Sequence, residues 1–219
     1  MRLRKQKNFD KRWLAVAELY LHDEGKSLAD NLHVELGCGK GKYLAARAGI
    51  SPDVFHIGIE RNQFALLKSM EAAQQAQLNN IKFIDGDIEC LQEWFAKNLI
   101  SQLDIMFCDP WTKKRYAKRR LTHRRFLKKY HELLKDDGIL CVRTDNVALY
   151  DFTLEELDAC EDWEIVSQTR DLHGVETRGD VDITPYNPMT NYEEKFTMLG
   201  VPICEIKVKK QGAVLTVNP

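Results

Sequence analysis

His33-Val34-Glu35-Leu36-Gly37-Cys38-Gly39-Lys40-Gly41, followed by Tyr43 to Ala48, reads as a strand, a Gly-rich turn and a helix. Glycines let the backbone turn sharply and come close to a ligand, and the helix behind them offers an amide-rich N-terminus. The spacing is GxGxG rather than the GxGxxG that cradles a dinucleotide pyrophosphate. Glu35, just ahead of the turn, is placed to meet a cationic ligand group.

The same unit recurs along the chain. Phe55 to Ile59 predicts a second strand, with a helix through Ala65, Leu66, Ser69 and Ala73. Ile81 to Ile84 predicts a third, ahead of a helix near Leu91 to Leu99. The apolar run Leu103 to Cys108 predicts a fourth, leading to a basic loop and a helix over Arg125 to Leu134. Asp137-Gly138 then turns the chain into Ile139 to Val142, and a helix follows near 147–159. Strand–helix alternation predicts an α/β fold: a mostly parallel sheet with helices on both faces. Two late apolar stretches, Trp163 to Val166 and Ile203 to Val208, suit an antiparallel C-terminal edge hairpin. The polar loop between them, about 171–200, is long enough to suggest a functional role.

The chain's 219 residues, 44% hydrophobic and 30% charged, fit one domain with a real core. Residues 1–30 read as a basic N-terminal arm with a short helix over 13–21, and 31–219 as the α/β core. No apolar run reaches the roughly 20 residues of a membrane span, and the N-terminus has no signal-peptide core. Six scattered cysteines (38, 90, 108, 141, 160 and 204) form no CxxC pair. A disulfide framework or metal site is therefore not expected, and a reducing cytoplasm is the default.

Acids recur at the carboxyl ends of the strands, where open α/β sheets bind ligands. Glu60 ends the second strand and is placed to bind both hydroxyls of a ribose. The third ends in Asp85-Gly86-Asp87, where a carboxylate is placed to accept from an adenine amino group. Asp109 ends the fourth. Each alone is as readily a helix cap or a solvated turn residue. Together they fit an adenosine with a positive, non-phosphorylated tail, and S-adenosylmethionine is such a molecule.

Behind Asp109 runs Pro110-Trp111-Thr112-Lys113-Lys114-Arg115-Tyr116-Ala117-Lys118-Arg119-Arg120. From Thr112 to Lys129 there are ten Lys or Arg and no acid, although the whole chain carries only -1. Part of this block reads as a solvated helix face, but residues 113–120 precede the helix. Cations there neutralise phosphates, while Trp111 and Tyr116 are candidates for base stacking, with packing under the loop an equal alternative for Trp111. Asp145, in Arg143-Thr144-Asp145-Asn146, ends the fifth strand near Asp109, its bland alternative being the cap of the next helix.

These motifs coincide with a known family. The chain resembles the bacterial tRNA (guanine-N7)-methyltransferases, which modify guanosine 46 of the tRNA variable loop. The likeness runs from ELGCGKG through GIE, DPWTKKRYAKRRLTHRRFLKKY and RTDN to TNYEEKF at 190–196. It implies a Rossmann-like class I methyltransferase with a seven-stranded sheet. It also implies S-adenosylmethionine contacts at Glu35, Gly37, Gly39, Glu60, Asp87 and Asp109, with Asp109 the active-site acid. Lys113, Asp145, Thr190, Asn191, Tyr192 and Glu193 match guanosine-contacting positions, and Arg115, Lys118, Arg119 and Arg120 fall in the segment that grips tRNA. A homodimer is implied as well; DNA and membranes are not. Two departures stand out: Thr112 replaces the proline of the usual DPWPKK, and Asn191 the glutamate of TEYE.

Other functions explain less. A methyltransferase for DNA, protein or small molecules gives no reason for the DPW block. A nicotinamide-dependent oxidoreductase is disfavoured by the absent GxGxxG. A non-enzymatic RNA-binding protein leaves the strand-end acids unexplained.

Overall fold

The computed structural model describes residues 8–22, 30–174 and 188–211. Its strands are β1 (Leu32–Leu36), β2 (Phe55–Glu60), β3 (Ile81–Asp85), β4 (Ile100–Met106), β5 (Leu134–Thr144), β6 (Trp163–Thr169) and β7 (Cys204–Lys210). They form one seven-stranded sheet in the order β3-β2-β1-β4-β5-β7-β6. The first five strands run parallel, and β7 lies antiparallel between β5 and β6. The expected antiparallel pair thus sits at the sheet edge, with the last strand on its inner side.

The helices are α1 (Phe9–Tyr20), α2 (Lys42–Ile50), α3 (Gln63–Gln75), α4 (Leu91–Trp94), α5 (Arg124–Leu133), α6 (Val147–Asp158) and α7 (Asn191–Met198). Val34, Leu36, Ile57, Ile59, Leu103, Ile105 and Val142 form an apolar core with Phe126, Leu127 and Tyr130 of α5. A second cluster joins Leu44 of α2, Leu66 and Met70 of α3, and Val16 and Tyr20 of α1.

Side chains alternate across a strand, so His33 and Glu35 of β1 face away from Val34. There Asp104 of β4 lies beneath α2, buried. It accepts from Tyr43 Oη at 2.6 Å and from Gln102 Nε2 at 2.9 Å, and lies 2.7 Å from His33 Nε2. Burial alone opposes its ionisation. Those three partners, His33 foremost, outweigh that and hold its pKa below the ordinary value.

Three sequence expectations change. The helix expected near 91–99 is a 3-10 turn, Ile88–Cys90, followed by the four-residue α4. Asn98 and Leu99 instead donate to the carbonyls of Glu132 and Leu133 and lead straight into β4. Asp137-Gly138 does turn the chain, but inside β5 rather than ahead of it: Leu134 pairs with Ile100 and Ile139 with Gln102, so residues 135–138 bulge out against the one residue between them on β4. A Cβ at Gly138 would lie 2.9 Å from the Lys135 carbonyl oxygen and 3.0 Å from that of Ile100, so the shift needs glycine. Finally, the loop expected over 171–200 contains α7. Residues 175–187 of that loop, and 1–7 of the basic arm, lie outside the described residues.

Candidate active site

A cleft of about 680 Å³ opens where β1 to β4 end, within the range of small-molecule sites. Gly37, Glu60, Asp87, Asp109, Trp111 and Arg119 are among the residues lining it. Glu60 and Asp109 thus share one cleft.

The glycine turn owes its shape to three left-handed residues, Gly37 (φ 73°), Gly39 (φ 57°) and Gly41 (φ 71°). At Gly41 a Cβ would stand 2.7 Å from the Ser69 Cβ, so glycine also lets α2 approach α3. Beneath the turn, Glu35 is only 3% exposed, opposite Gly58 on one side and Asp104 on the other. Its Oε2 has no hydrogen-bond partner. Burial, then the nearby Asp104 and Glu60 carboxylates, push its pKa well above the ordinary range. A buried, unpaired carboxyl surrounded by like charge favours a cation.

Glu60 is held by backbone. Gly39 N–H donates to Oε2 at 3.1 Å and Asn62 N–H to Oε1 at 2.7 Å, so each oxygen keeps a lone pair for a ligand. Asn62 itself caps α3. Asp87 caps the 3-10 turn through Glu89 N–H at 3.1 Å, and its other oxygen lies 3.5 Å from Arg61 Nη1. It is both a cap and a residue of the cleft wall.

Asp109 is exposed and bracketed by two left-handed residues, Phe107 (φ 54°) and Trp111 (φ 40°). Bulky residues rarely adopt this conformation, which costs on the order of 1–3 kcal/mol each and clusters at functional sites. Phe107 N–H is tied to the Arg143 carbonyl at 2.9 Å. The neighbouring Cys108 thiol is pushed up to about 12, by burial and then by Asp109, and is therefore a weak nucleophile.

The basic segment divides in two. Arg124 pairs with Glu156, and Arg125 and Lys129 with Glu89. Lys113, Lys114, Arg115, Lys118 and Arg119 form no ion pair among the described residues and are exposed. Lys114–Arg119 is a 3-10 helix. Arg119 lies 5.0 Å from the Trp111 ring and 5.1 Å from that of Tyr116, and Arg115 lies 4.8 Å from Tyr116. Both aromatics are thus already stacked with arginines. Arg120 is turned inward, donating from Nε to the Pro110 carbonyl at 3.0 Å and from Nη2 to that of Trp111 at 3.2 Å.

The expected guanosine-contacting residues spread around the cleft without lining it. Asp145 follows β5, whose Arg143 pairs with Met106 of β4, so it leaves the sheet at the same edge as Asp109. Its alternative role as a cap falls to Asn146, which accepts from Leu149 N–H. Thr190 and Glu193 form the capping box of α7. Glu193 is fully buried, 3.3 Å from Arg143 Nη1 and 2.9 Å from His173 Nε2. Asn191 is exposed. Tyr192, 61% exposed, stacks on Phe107 of the cleft wall at 6.4 Å. Sequence reasoning missed Phe107 and the inward turn of Arg120. It also missed the buried Asp104, whose one signal was a charge inside an apolar strand.

Residues 29–206 match the family described as "Putative methyltransferase". Over 97% of its length the chain is 37% identical to a tRNA (guanine-N(7)-)-methyltransferase of Clostridioides difficile, covering all of that protein. It is 38% identical to the enzyme of that name from Mycoplasma pneumoniae, over 83% of this chain and 85% of the relative. Among solved structures, a 30S ribosomal A1408 methyltransferase from an uncultured bacterium superposes with a TM-score of 0.53 at 16% identity, covering 96% of this chain and 97% of that one. An rRNA methylase from Streptococcus thermophilus gives 0.54 at 13% identity, covering 95% and 99%. These two likenesses concern the fold.

Proposed function

The chain belongs to the tRNA (guanine-N7)-methyltransferase family, and from that premise we propose that it methylates N7 of guanosine 46 in the tRNA variable loop. S-adenosylmethionine is the methyl donor. One observation carries the reading: Glu60, Asp87 and Asp109 line one cleft together with Arg119, a member of the exposed cationic segment 113–119.

The residues present fit the donor. Glu35, with its unpaired buried oxygen, suits a cationic group, and Glu60, steadied by two backbone N–H groups, suits a diol. Gly37 and Gly39 bring backbone close, and Asp87 retains acceptor capacity for an amino group. The donor supplies an electrophilic methyl on a sulfonium.

Guanine N7 carries a lone pair and no proton, so the site needs no general base. What the protein supplies is placement, which can account for roughly 7–11 kcal/mol of a barrier. Positive charge appears on the purine as the methyl arrives. Asp109, at the cleft rim, orients the base and favours that charge electrostatically, with Asp145 beside it. Lys113, Thr190, Asn191 and Tyr192 surround the base, and Glu193 supports them from beneath. Arg115, Lys118 and Arg119 grip tRNA phosphates. Extruding the nucleotide costs a few kcal/mol, partly recovered by stacking.

The same reading treats 1–219 as one catalytic unit that works as a cytoplasmic homodimer. Among the described residues no helix is long and apolar enough to cross a membrane. The decisive test is mass-spectrometric mapping of unmodified tRNA after incubation with purified protein and donor. N7-methylguanosine at the variable-loop guanosine is expected. No transfer, or transfer elsewhere, overturns the proposal, and near wild-type transfer by Asp109→Ala overturns the role of that residue.

A further inference from the structure

Arg120 differs from the cations around it. Arg115, Lys118 and Arg119 are exposed, whereas the Arg120 guanidinium is half-buried, 4.2 Å from the Phe152 ring of α6. Its Nε and Nη2 reach the carbonyls of Pro110 and Trp111, and no other hydrogen bond to those two oxygens is present among the described residues. Its own N–H closes the 3-10 helix on the Ala117 carbonyl at 3.0 Å, so backbone and side chain both fix its place. The two carbonyls belong to the residues directly after Asp109, and the second is the left-handed Trp111. Such a backbone persists only when its surroundings over-determine it. A planar fork of donors meets two adjacent carbonyls at once, which the single ammonium of a lysine cannot do at the same geometry.

We infer that Arg120 is a positioning residue of the methyl-transfer site, clamping the turn that presents Asp109 rather than gripping tRNA phosphate. The inference rests on the function proposed above. Arg120→Lys keeps the charge and loses the fork; Arg120→Gln loses both. The expected result is a kcat lower by about 10- to 100-fold in both variants, as for a displaced reacting group. The tRNA KM and its salt dependence stay within about twofold of wild type. Lys118→Ala, the contrast, raises the tRNA KM and flattens the salt dependence.

Hydrogen–deuterium exchange of peptides covering 108–113 is expected to quicken in Arg120→Lys, with the rest of the protein unchanged. A raised tRNA KM with unaltered kcat, wild-type kinetics in Arg120→Lys, or unchanged exchange at 108–113 overturns the inference. If Arg120→Gln fails to fold, Arg120→Lys decides alone. Failure of the wild-type protein to methylate tRNA sinks the functional reading instead, and the exchange measurement still judges the clamp.

Discussion

Replacing Glu193 by alanine tests whether this residue is a structural anchor or a substrate contact. Arg143 is 2% exposed and faces two carboxylates, Glu205 at 2.7 Å and Glu193 at 3.3 Å. At 3.3 Å, with an effective dielectric constant near 20, the Glu193–Arg143 attraction is about 5 kcal/mol before desolvation. Removing one partner of a buried pair typically costs about 3–5 kcal/mol, because the remaining charge stays buried. Glu193 also holds His173 and the Thr190 N–H, so a loss in that range is expected. In urea, monitored by circular dichroism, the midpoint should fall by roughly 1.5 M for a slope of 2–3 kcal/mol/M. The pH dependence gives a second reading. Burial opposes ionisation of Glu193, but the His173 hydrogen bond and the Arg143 charge outweigh it and hold its pKa below the ordinary carboxylate value. Its contribution is therefore complete above that ordinary value and disappears as pH falls through the lower folded one. Wild type and variant should converge in stability at acid pH. A loss below about 1 kcal/mol at neutral pH, accompanied by a large rise in tRNA KM, would refute the anchor and restore a direct substrate contact.

Three further outcomes are expected. Glu60→Gln swaps an acceptor that takes N–H bonds from Gly39 and Asn62 for a group with one acceptor oxygen; isothermal titration should show donor affinity down about 10-fold or more, and unchanged affinity removes Glu60 from the ribose site. Burial, then the neighbouring His33 and Arg47, lower the His56 pKa to about 3 from 6.5, so unfolding takes up a proton between those values. Stability should then fall below pH 6.5 by up to about 1.4 kcal/mol per unit, and a His56→Leu variant that retains the full acid slope contradicts this. Neutralising Arg115, Lys118 and Arg119 together should weaken tRNA binding and reduce its log–log salt slope by about 3; filter binding across a salt series that shows the wild-type slope excludes these cations from the phosphate contacts.

The sheet, its parallel body and its antiparallel edge could be read from the sequence because apolar runs and glycine turns are local signals. The cleft was legible for the same reason: Glu60 ends β2, and Asp87 and Asp109 come shortly after β3 and β4, with Glu35 inside β1 beneath the glycine turn. What escaped depends on distant pairing. The fate of Asp137-Gly138 was decided by Ile100 across the sheet, and α7 hid in a polar segment whose support comes from Arg143. The division of labour among neighbouring arginines was equally invisible, since Arg119 and Arg120 differ only in which way the 3-10 helix turns them. Composition marks a basic block as a whole; only packing separates the members that reach solvent from the one that reaches the backbone.

The place of β7 has a consequence for biosynthesis. As the polypeptide leaves the ribosome from its amino end, β1 to β5 can pair in turn, but β6 has no neighbour until residues 204–210 are made. Until then β5 presents a bare flank with the paired-strand groups of Ile139 to Thr144 unmet. A message truncated ahead of residue 204 would therefore forfeit two strands rather than one, and would leave the Arg143 guanidinium without Glu205. Nascent chains of that length are expected to be the form that chaperones hold and proteases clear.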